Sequence, residues 1–234
     1  VFYNPIMYSE CERYYGDKIA DPVVVGTPKR NASIVQVCPM DDEGYFNFGL
    51  HNSSTHTSLT STEVVIVEVN EKLPRCLGGA NEKIHVSKVT HVVEGENPDL
   101  LMAPVMEPTE AEKLIAKHVM EHVHDGCCMQ FGIGGVPNAV GRLLADSDLK
   151  DLGCHTEMLV DSYVDLFEKG KMTGSKKSID RGKMAYTFAV GSGRLYGFMD
   201  NNPHLASYNV EYINHPNIIS RNDNVISINS AIQV

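Results

Sequence analysis

The sequence predicts an α/β fold with a largely parallel sheet. Short β-branched runs alternate with helix-like segments through most of the 234 residues, the pattern that βαβ units produce. Val64-Val-Ile-Val-Glu-Val69 is a continuous apolar run of the kind buried on both faces of a parallel sheet. Cys127 to Phe131 then leads into Gly132-Ile-Gly-Gly-Val-Pro137, a strand, a glycine turn and a helix start in direct succession. In an open α/β sheet such turns face the crevice at the carboxyl ends of the strands, where ligands bind.

The elements follow in order. Residues 1–30 are rich in tyrosine and turn formers and read as loop. Ala32 to Cys38 reads as a strand ended by Pro39, with a turn at Asp41 to Gly44 before Tyr45-Phe-Asn-Phe48. Residues 51–62 suit a short helix, 64–69 the strongest strand, and 84–93 one or two more strands. A linker runs from Glu94 to Pro104 and Pro108, and Thr109-Glu-Ala-Glu112 is a capping box, in which hydroxyl and carboxylate each satisfy an orphan backbone N–H. The helix it opens is expected to bury Leu114, Ile115, Val119, Met120 and Val123 on one face, and Asp125-Gly126 stops it. After the glycine turn, Pro137 stands in a first helical turn, where its missing N–H costs nothing. Strands are expected at 154–160, 185–190, 207–213 and 225–234, with helices near 161–169 and 192–199. The linker places the expected domain boundary between 1–104 and 105–234.

Composition narrows the function. A net charge of −10, from 20 Lys and Arg against 30 Asp and Glu, leaves no basic stripe to neutralise a nucleic-acid backbone. No run approaches the roughly 18 apolar residues of a membrane span, so neither nucleic acid nor membrane is an expected partner. The six cysteines form no C-x-x-C pair and read as reduced core thiols of a cytoplasmic protein. The chain opens on Val1 and stops at Val234 inside a strand-like run, so a piece of a longer protein is expected.

The glycine turn has three readings. A dinucleotide site needs a third glycine at position 137. Pro137 stands there, although Glu157 falls near the place of the ribose-binding acid. Acyl transfer fits otherwise: adjacent glycines let backbone N–H groups approach a developing oxyanion, and Glu157 supplies a carboxylate able to act as nucleophile. The third reading is structural, a strand–helix turn of any α/β fold with Glu157 as a solvated or capping acid.

At these residues the chain resembles the class I coenzyme A transferases, in the branch of the butyryl-CoA:acetate and 4-hydroxybutyrate CoA-transferases. The matching pieces are Gln130-Phe-Gly-Ile-Gly-Gly-Val-Pro-Asn-Ala139, Asp148 to Gly153, His155-Thr-Glu-Met158, Lys177 to Lys183 and Val225 to Gln233. Upstream, Gln36 to Gly49, Ile66 to Asn70 and Leu73 to Gly78 also fit. The resemblance implies two tandem open α/β domains of the CoA-transferase type. It makes Glu157 the nucleophile of a ping-pong reaction through a glutamyl-CoA thioester. It places Gly132, Ile133, Gly134, Gly135 and Val136 along the CoA thioester, with their N–H groups as oxyanion donors, and Ile232 near the CoA moiety. The implied partners are a short-chain acyl-CoA, acetate or another short carboxylate, and further copies of the chain in a homo-oligomer. Coenzyme A is then a substrate, and neither a cofactor nor a metal is required. An acyl-CoA hydrolase on the same scaffold and a non-catalytic nucleotide- or sugar-phosphate-binding domain are the alternatives.

Weaker signals read as structural. His118 and His122 share a helix face with His124 nearby, but the ligand order of a zinc site is absent. His155 is expected to pack near Glu157, and Cys127, Cys128 and Cys154 to be core thiols. Lys169, Lys171, Lys176 and Lys177 are expected on a solvated face that could also attract the phosphates of CoA.

Overall fold

The structure, a computed structural model, describes residues 6–15, 31–103 and 107–230. A turn of 3-10 helix at Tyr8–Glu10 leads into α1 (Cys11–Tyr15), where loop was expected. Then come β1 (Ala32–Val37), β2 (Tyr45–Asn47), α2 (Thr55–Thr60), β3 (Val64–Val69), β4 (Lys83–His85) and β5 (His91–Glu94). Strands β1, β3 and β5 form a parallel sheet with β3 central and Val35, Val67 and Val92 in register. β2 and β4 pair antiparallel, Phe46 opposite Ile84. Val37, Phe46, Phe48, Leu59, Val65, Val67 and Ile84 form the apolar cluster under this part.

β3 is not buried on both faces as its composition predicts. Val65 and Val67 are buried, whereas Val64 and Ile66 are half-buried, and Ile34, in register with Ile66, is 72% exposed. Among the described residues only one face of this sheet meets an apolar cluster.

Past the linker lie α3 (Glu110–Met120), β6 (Cys128–Phe131), α4 (Gly135–Asp146), β7 (Gly153–His155), β8 (Met158–Leu159) and α5 (Asp161–Glu168). They are followed by β9 (Met184–Tyr186), β10 (Phe188–Ala189), α6 (Gly193–Met199), β11 (Leu205–Ser207), α7 (Val210–Asn214), α8 (Pro216–Ile219) and β12 (Val225–Ile228). Among the described residues the main sheet is five-stranded, in the order β11-β9-β7-β6-β12, with every pair parallel. Two expected strands, 154–160 and 185–190, each break in the middle. Their second halves, β8 and β10, leave the main sheet and pair with each other. The expected strand at 207–213 is β11 followed by helix α7.

The capping box forms as predicted: Glu112 N donates to Thr109 Oγ1 at 3.3 Å, and the Glu112 carboxylate accepts from Thr109 N at 2.7 Å. The buried face differs. Ala116 and Val123 are buried and Val119 and Met120 half-buried, while Leu114 and Ile115 are 57% and 50% exposed. Positions 116, 119, 120 and 123 form one stripe at helical spacing, and Leu114 and Ile115 fall beside it.

The main core gathers Met129, Phe131, Leu144, Leu159, Tyr163, Tyr186 and Leu195, and it takes in Cys38, Leu50, Leu73 and Cys76 from the other side of the linker. Backbone bonds reinforce that junction: Asn201 N donates to Arg75 O at 2.8 Å, and Ser207 N to Leu77 O at 2.9 Å. Lys177 corrects another expectation. It is 2% exposed, not solvated, and its ammonium donates to the Cys154 and Lys183 carbonyls at 2.8 Å each. Burial lowers its pKa, and the two carbonyls offset that desolvation.

Candidate active site

Glu157 stands where the central sheet opens. β6 and β7 pair only through Cys128–Gly153 and Met129–Cys154, while β12 follows β6 on through Phe131, so on the β7 side alone the next groups of β6 lack a strand partner. Two side chains replace it. Tyr163 Oη, fully buried on α5, accepts from Phe131 N at 3.0 Å and donates to Met129 O at 3.2 Å. Thr156 Oγ1 lies 3.4 Å from Phe131 O and 3.0 Å from Met158 O. Thr156 and Glu157 thereby leave the ladder between β7 and β8. The Glu157 carbonyl is held by Thr187 N at 3.1 Å and Phe188 N at 3.2 Å, in the matching break between β9 and β10. Tyr163→Phe should destabilise the protein by about 1–3 kcal/mol, because the Phe131 N–H is then buried without a partner. A lower urea midpoint at unchanged slope checks this, and an unchanged midpoint contradicts it.

The opening forms one wall of a cavity of about 1290 Å³, whose lining includes Glu157 together with Gly132, Ile133 and Gly134. The side chain of Glu157 is half-buried, and its Oε2 accepts a hydrogen bond from Asn214 Nδ2 at the end of α7. Ile133 projects outward, 65% exposed. Gly134 caps α4 with φ 122° and ψ 179° and offers no side chain to the first turn. The N–H groups of Gly135 and Val136 therefore have no intrahelical acceptor, Pro137 has none to donate, and Asn138 N makes the first helical bond, to Gly134 O at 3.2 Å. The segment after β12 closes against this turn. A Cβ on Gly132 would meet Asn229 Oδ1 at 2.6 Å, and one on Gly134 would meet Ser230 Oγ at 2.7 Å.

The remaining candidate residues are distributed as follows. Gly135 is buried, and a Cβ there would meet the Glu112 carboxylate at 2.1 Å, so the capping-box acid sits at the N-terminus of α4, where the helix dipole favours negative charge. The Val136 side chain packs partly against the main core rather than lining the cavity. Ile232 lies outside the described residues. Cys127, Cys128 and Cys154 are buried, and burial raises the Cys128 thiol to about 11 and the Cys154 thiol further, which withdraws both from nucleophilic chemistry at neutral pH. His118 is exposed beside Glu121 at 3.2 Å. Among the described residues no cluster of three metal-ligating side chains forms.

Two cations line the cavity and both are engaged. Arg142 makes a bidentate pair with Glu107 at 2.5 and 2.8 Å, and Arg194 bridges Asp165, at 2.6 Å, and Glu168. Close to Arg194 the linker crosses the rim. Ala103 N donates to Gly191 O at 3.1 Å, and Tyr196 Oη donates to Leu101 O, so Leu101 and Met102 stand exposed at the cavity edge.

Comparison with known proteins places this geometry. Residues 18–107 match the family model of the acetyl-CoA hydrolase/transferase N-terminal domain, and residues 191–234 that of the C-terminal domain. The full chain is 47% identical to the butyryl-CoA:acetate CoA-transferase of Anaerostipes caccae, covering 51% of that protein. The chain belongs to the acetyl-CoA hydrolase/transferase family. Within that family it is also 37% identical, over 99% of its length and 51% of the relative's, to the 4-hydroxybutyrate coenzyme A transferase of Clostridium kluyveri. The crystal structure of RipA from Yersinia pestis superposes on the whole chain and 51% of RipA with a TM-score of 0.89, at 35% identity. The chain spans about half the length of these relatives.

Of the residues around Glu157 in this member of the acetyl-CoA hydrolase/transferase family, sequence reasoning missed Asn214. It lies 57 residues away, in a segment whose alternation read as strand. An Asn at a helix end followed by His215-Pro216 was the signal that could have marked a helix terminus there.

Proposed function

We propose that the intact protein transfers coenzyme A from a short-chain acyl-CoA, of the butyryl or 4-hydroxybutyryl kind, to acetate. The observation that carries this reading is that the Glu157 carboxylate and the Gly132–Gly134 turn line one cavity. Gly132 N is already spent on Ile228 O at 2.8 Å, which leaves the N–H groups of Ile133 and Gly134 in the same cavity as the carboxylate; such donors suit acyl transfer, since they meet negative charge that develops only as the thioester carbonyl is attacked. Glu157 attacks that carbonyl, the C–S bond breaks, and an acyl-glutamyl anhydride and CoA thiolate result. The thiolate attacks the glutamyl carbonyl and releases the first carboxylate, leaving a glutamyl-CoA thioester. Acetate attacks this thioester to give an acetyl-glutamyl anhydride, and the returning thiolate takes the acetyl group and restores Glu157. Every step exchanges one acyl bond for another, so the cycle needs neither a redox cofactor nor a metal.

The buried and unpaired state of all six cysteines supports a reducing, cytoplasmic setting for this chemistry. The family description embraces hydrolases as well as transferases, so water in place of acetate is the second reading. Incubating the intact protein with butyryl-CoA and digesting it should yield a CoA adduct on the peptide carrying Glu157, discharged by acetate as acetyl-CoA. If no adduct forms, the nucleophile assignment fails. Discharge at the same rate with and without acetate would make the protein a hydrolase.

A further inference from the structure

We propose that His155 is a positioning residue for Glu157: by donating from Nε2 to the Ile213 carbonyl it holds the end of α7, and with it Asn214, against the nucleophile. The inference rests on the reading of Glu157 as the attacking group and adds a residue to it.

The geometry forms a short closed circuit. His155 ends β7 and Glu157 follows it in the break before β8. His155 Nε2 lies 2.8 Å from Ile213 O, and the next residue, Asn214, donates from Nδ2 to Glu157 Oε2. Strand end and helix end are thus tied twice, once through a backbone carbonyl and once through the nucleophile. Contacts separated by 58 and 57 residues in the chain have no local structure to maintain them, so one tie supports the other.

The end of α7 is where that tie acts. The helix has five residues and no side-chain N-cap, far short of the dozen or so residues at which a helix persists on its own. The Ile213 carbonyl belongs to its last turn, where intrahelical donors run out. His215 turns the chain out of the helix directly afterwards, at φ −71° and ψ 125°. Buried Val210 and Ile213 and the Tyr212 hydroxyl, which donates to Asp180 at 3.0 Å, hold the body of α7, and the imidazole N–H adds the tie at its last turn, beside Asn214.

His155 is suited to a fixed donor role. Its side chain is buried, 3% exposed, and the acceptor it meets is a carbonyl, so Nε2 must carry the proton. Nδ1 is buried with no hydrogen-bond partner, which selects one neutral tautomer. Burial also lowers the ionisation of the ring, with Lys177 and Asp180 as the charged groups facing it and the Tyr212 ring centroid 6.4 Å away. The Asn214 amide in turn occupies Oε2 of Glu157 and leaves Oε1 as the attacking oxygen. Misplacing a reacting group by about 1 Å costs on the order of a hundredfold in rate.

The test compares His155→Gln with His155→Asn in the intact protein. Gln extends an amide N–H to the place of Nε2, whereas the shorter Asn stops near the place of Nδ1 and leaves the Ile213 carbonyl unpaired. The rate of CoA-adduct formation on Glu157 at saturating butyryl-CoA should stay within about threefold of wild type for Gln and fall roughly tenfold to a hundredfold for Asn, with KM little changed in both. Combining His155→Asn with Asn214→Ala should add little to the loss from Asn214→Ala alone, because both act through the same contact. Equal rates for the Gln and Asn variants, or losses that multiply in the double variant, would overturn the proposal and leave Glu157 as nucleophile intact. Absence of the adduct in the wild-type protein would instead remove the nucleophile reading, and this proposal with it.

Discussion

Glu157→Gln in the intact protein should reduce CoA transfer by about four orders of magnitude or more while leaving the fold unchanged. Gln has the length and shape of Glu, and its carbonyl oxygen can keep the hydrogen bond that Asn214 Nδ2 now gives to Oε2. The backbone contacts of residue 157, from Thr187 N and Phe188 N, do not involve the side chain. What disappears is the anionic oxygen. A neutral amide cannot open the thioester, and no other carboxylate is held in its place: Asp161, the next acid on the cavity wall, spends both oxygens on the backbone N–H and hydroxyl of Ser192. Glu157→Asp is the informative companion. It keeps the charge but withdraws it by one methylene from Asn214 and from the glycine turn, so a loss of roughly a hundredfold is expected. Steady-state rates with butyryl-CoA and acetate, read beside thermal melts, check both variants. A Gln variant that turns over at wild-type rate would end the nucleophile assignment.

The sequence made the parallel-sheet class, the capping box at Thr109 and the glycine turn at 132–135 legible because each has a local cause. A β-branched run, a Thr-x-x-Glu spacing and a strand feeding glycines into a helix are visible within a dozen residues. Glu157 was legible as a candidate for the same reason, since it lies in a short motif. The shape around it was not. The strand expected at 154–160 was carried through the polar pair Thr156-Glu157 into Met158-Leu-Val160, and nothing local shows that Tyr163 and Thr156 hydroxyls replace a strand there. Asn214 was invisible because its contact spans 57 residues, and alternation at 207–213 imitates a strand where α7 forms. Lys177 was misread because ammonium groups are seldom buried; the carbonyls that satisfy it lie on β7 and in the loop before β9. Leu114 and Ile115 were assigned to a core that turns its face to Ala116 instead.

Gly134→Ala should cost both stability and activity through a single added methyl. Two costs coincide there. Gly134 has φ 122° and ψ 179°, a region that side-chain-bearing residues essentially never occupy, at about 1–3 kcal/mol for the strain. The added Cβ would also stand 2.7 Å from Ser230 Oγ, so the segment after β12 or the turn itself must move. If the turn moves, the N–H groups of Ile133 and Gly134 on the cavity wall move with it, and losing one donor to a developing oxyanion costs on the order of a hundred- to a thousandfold in rate. Activity should therefore fall further than stability explains. Gly197→Ala is the control. It lies exposed within α6 with no atom within 4 Å of a built Cβ, and there alanine should stabilise by about 0.5–1 kcal/mol without touching catalysis. Opposite signs for the two melts, with only the Gly134 variant slow in forming the Glu157 adduct, would tie the unusual backbone at 134 to the chemistry. A Gly134→Ala protein that is merely less stable, with its acylation rate intact, would reduce the turn to scaffolding.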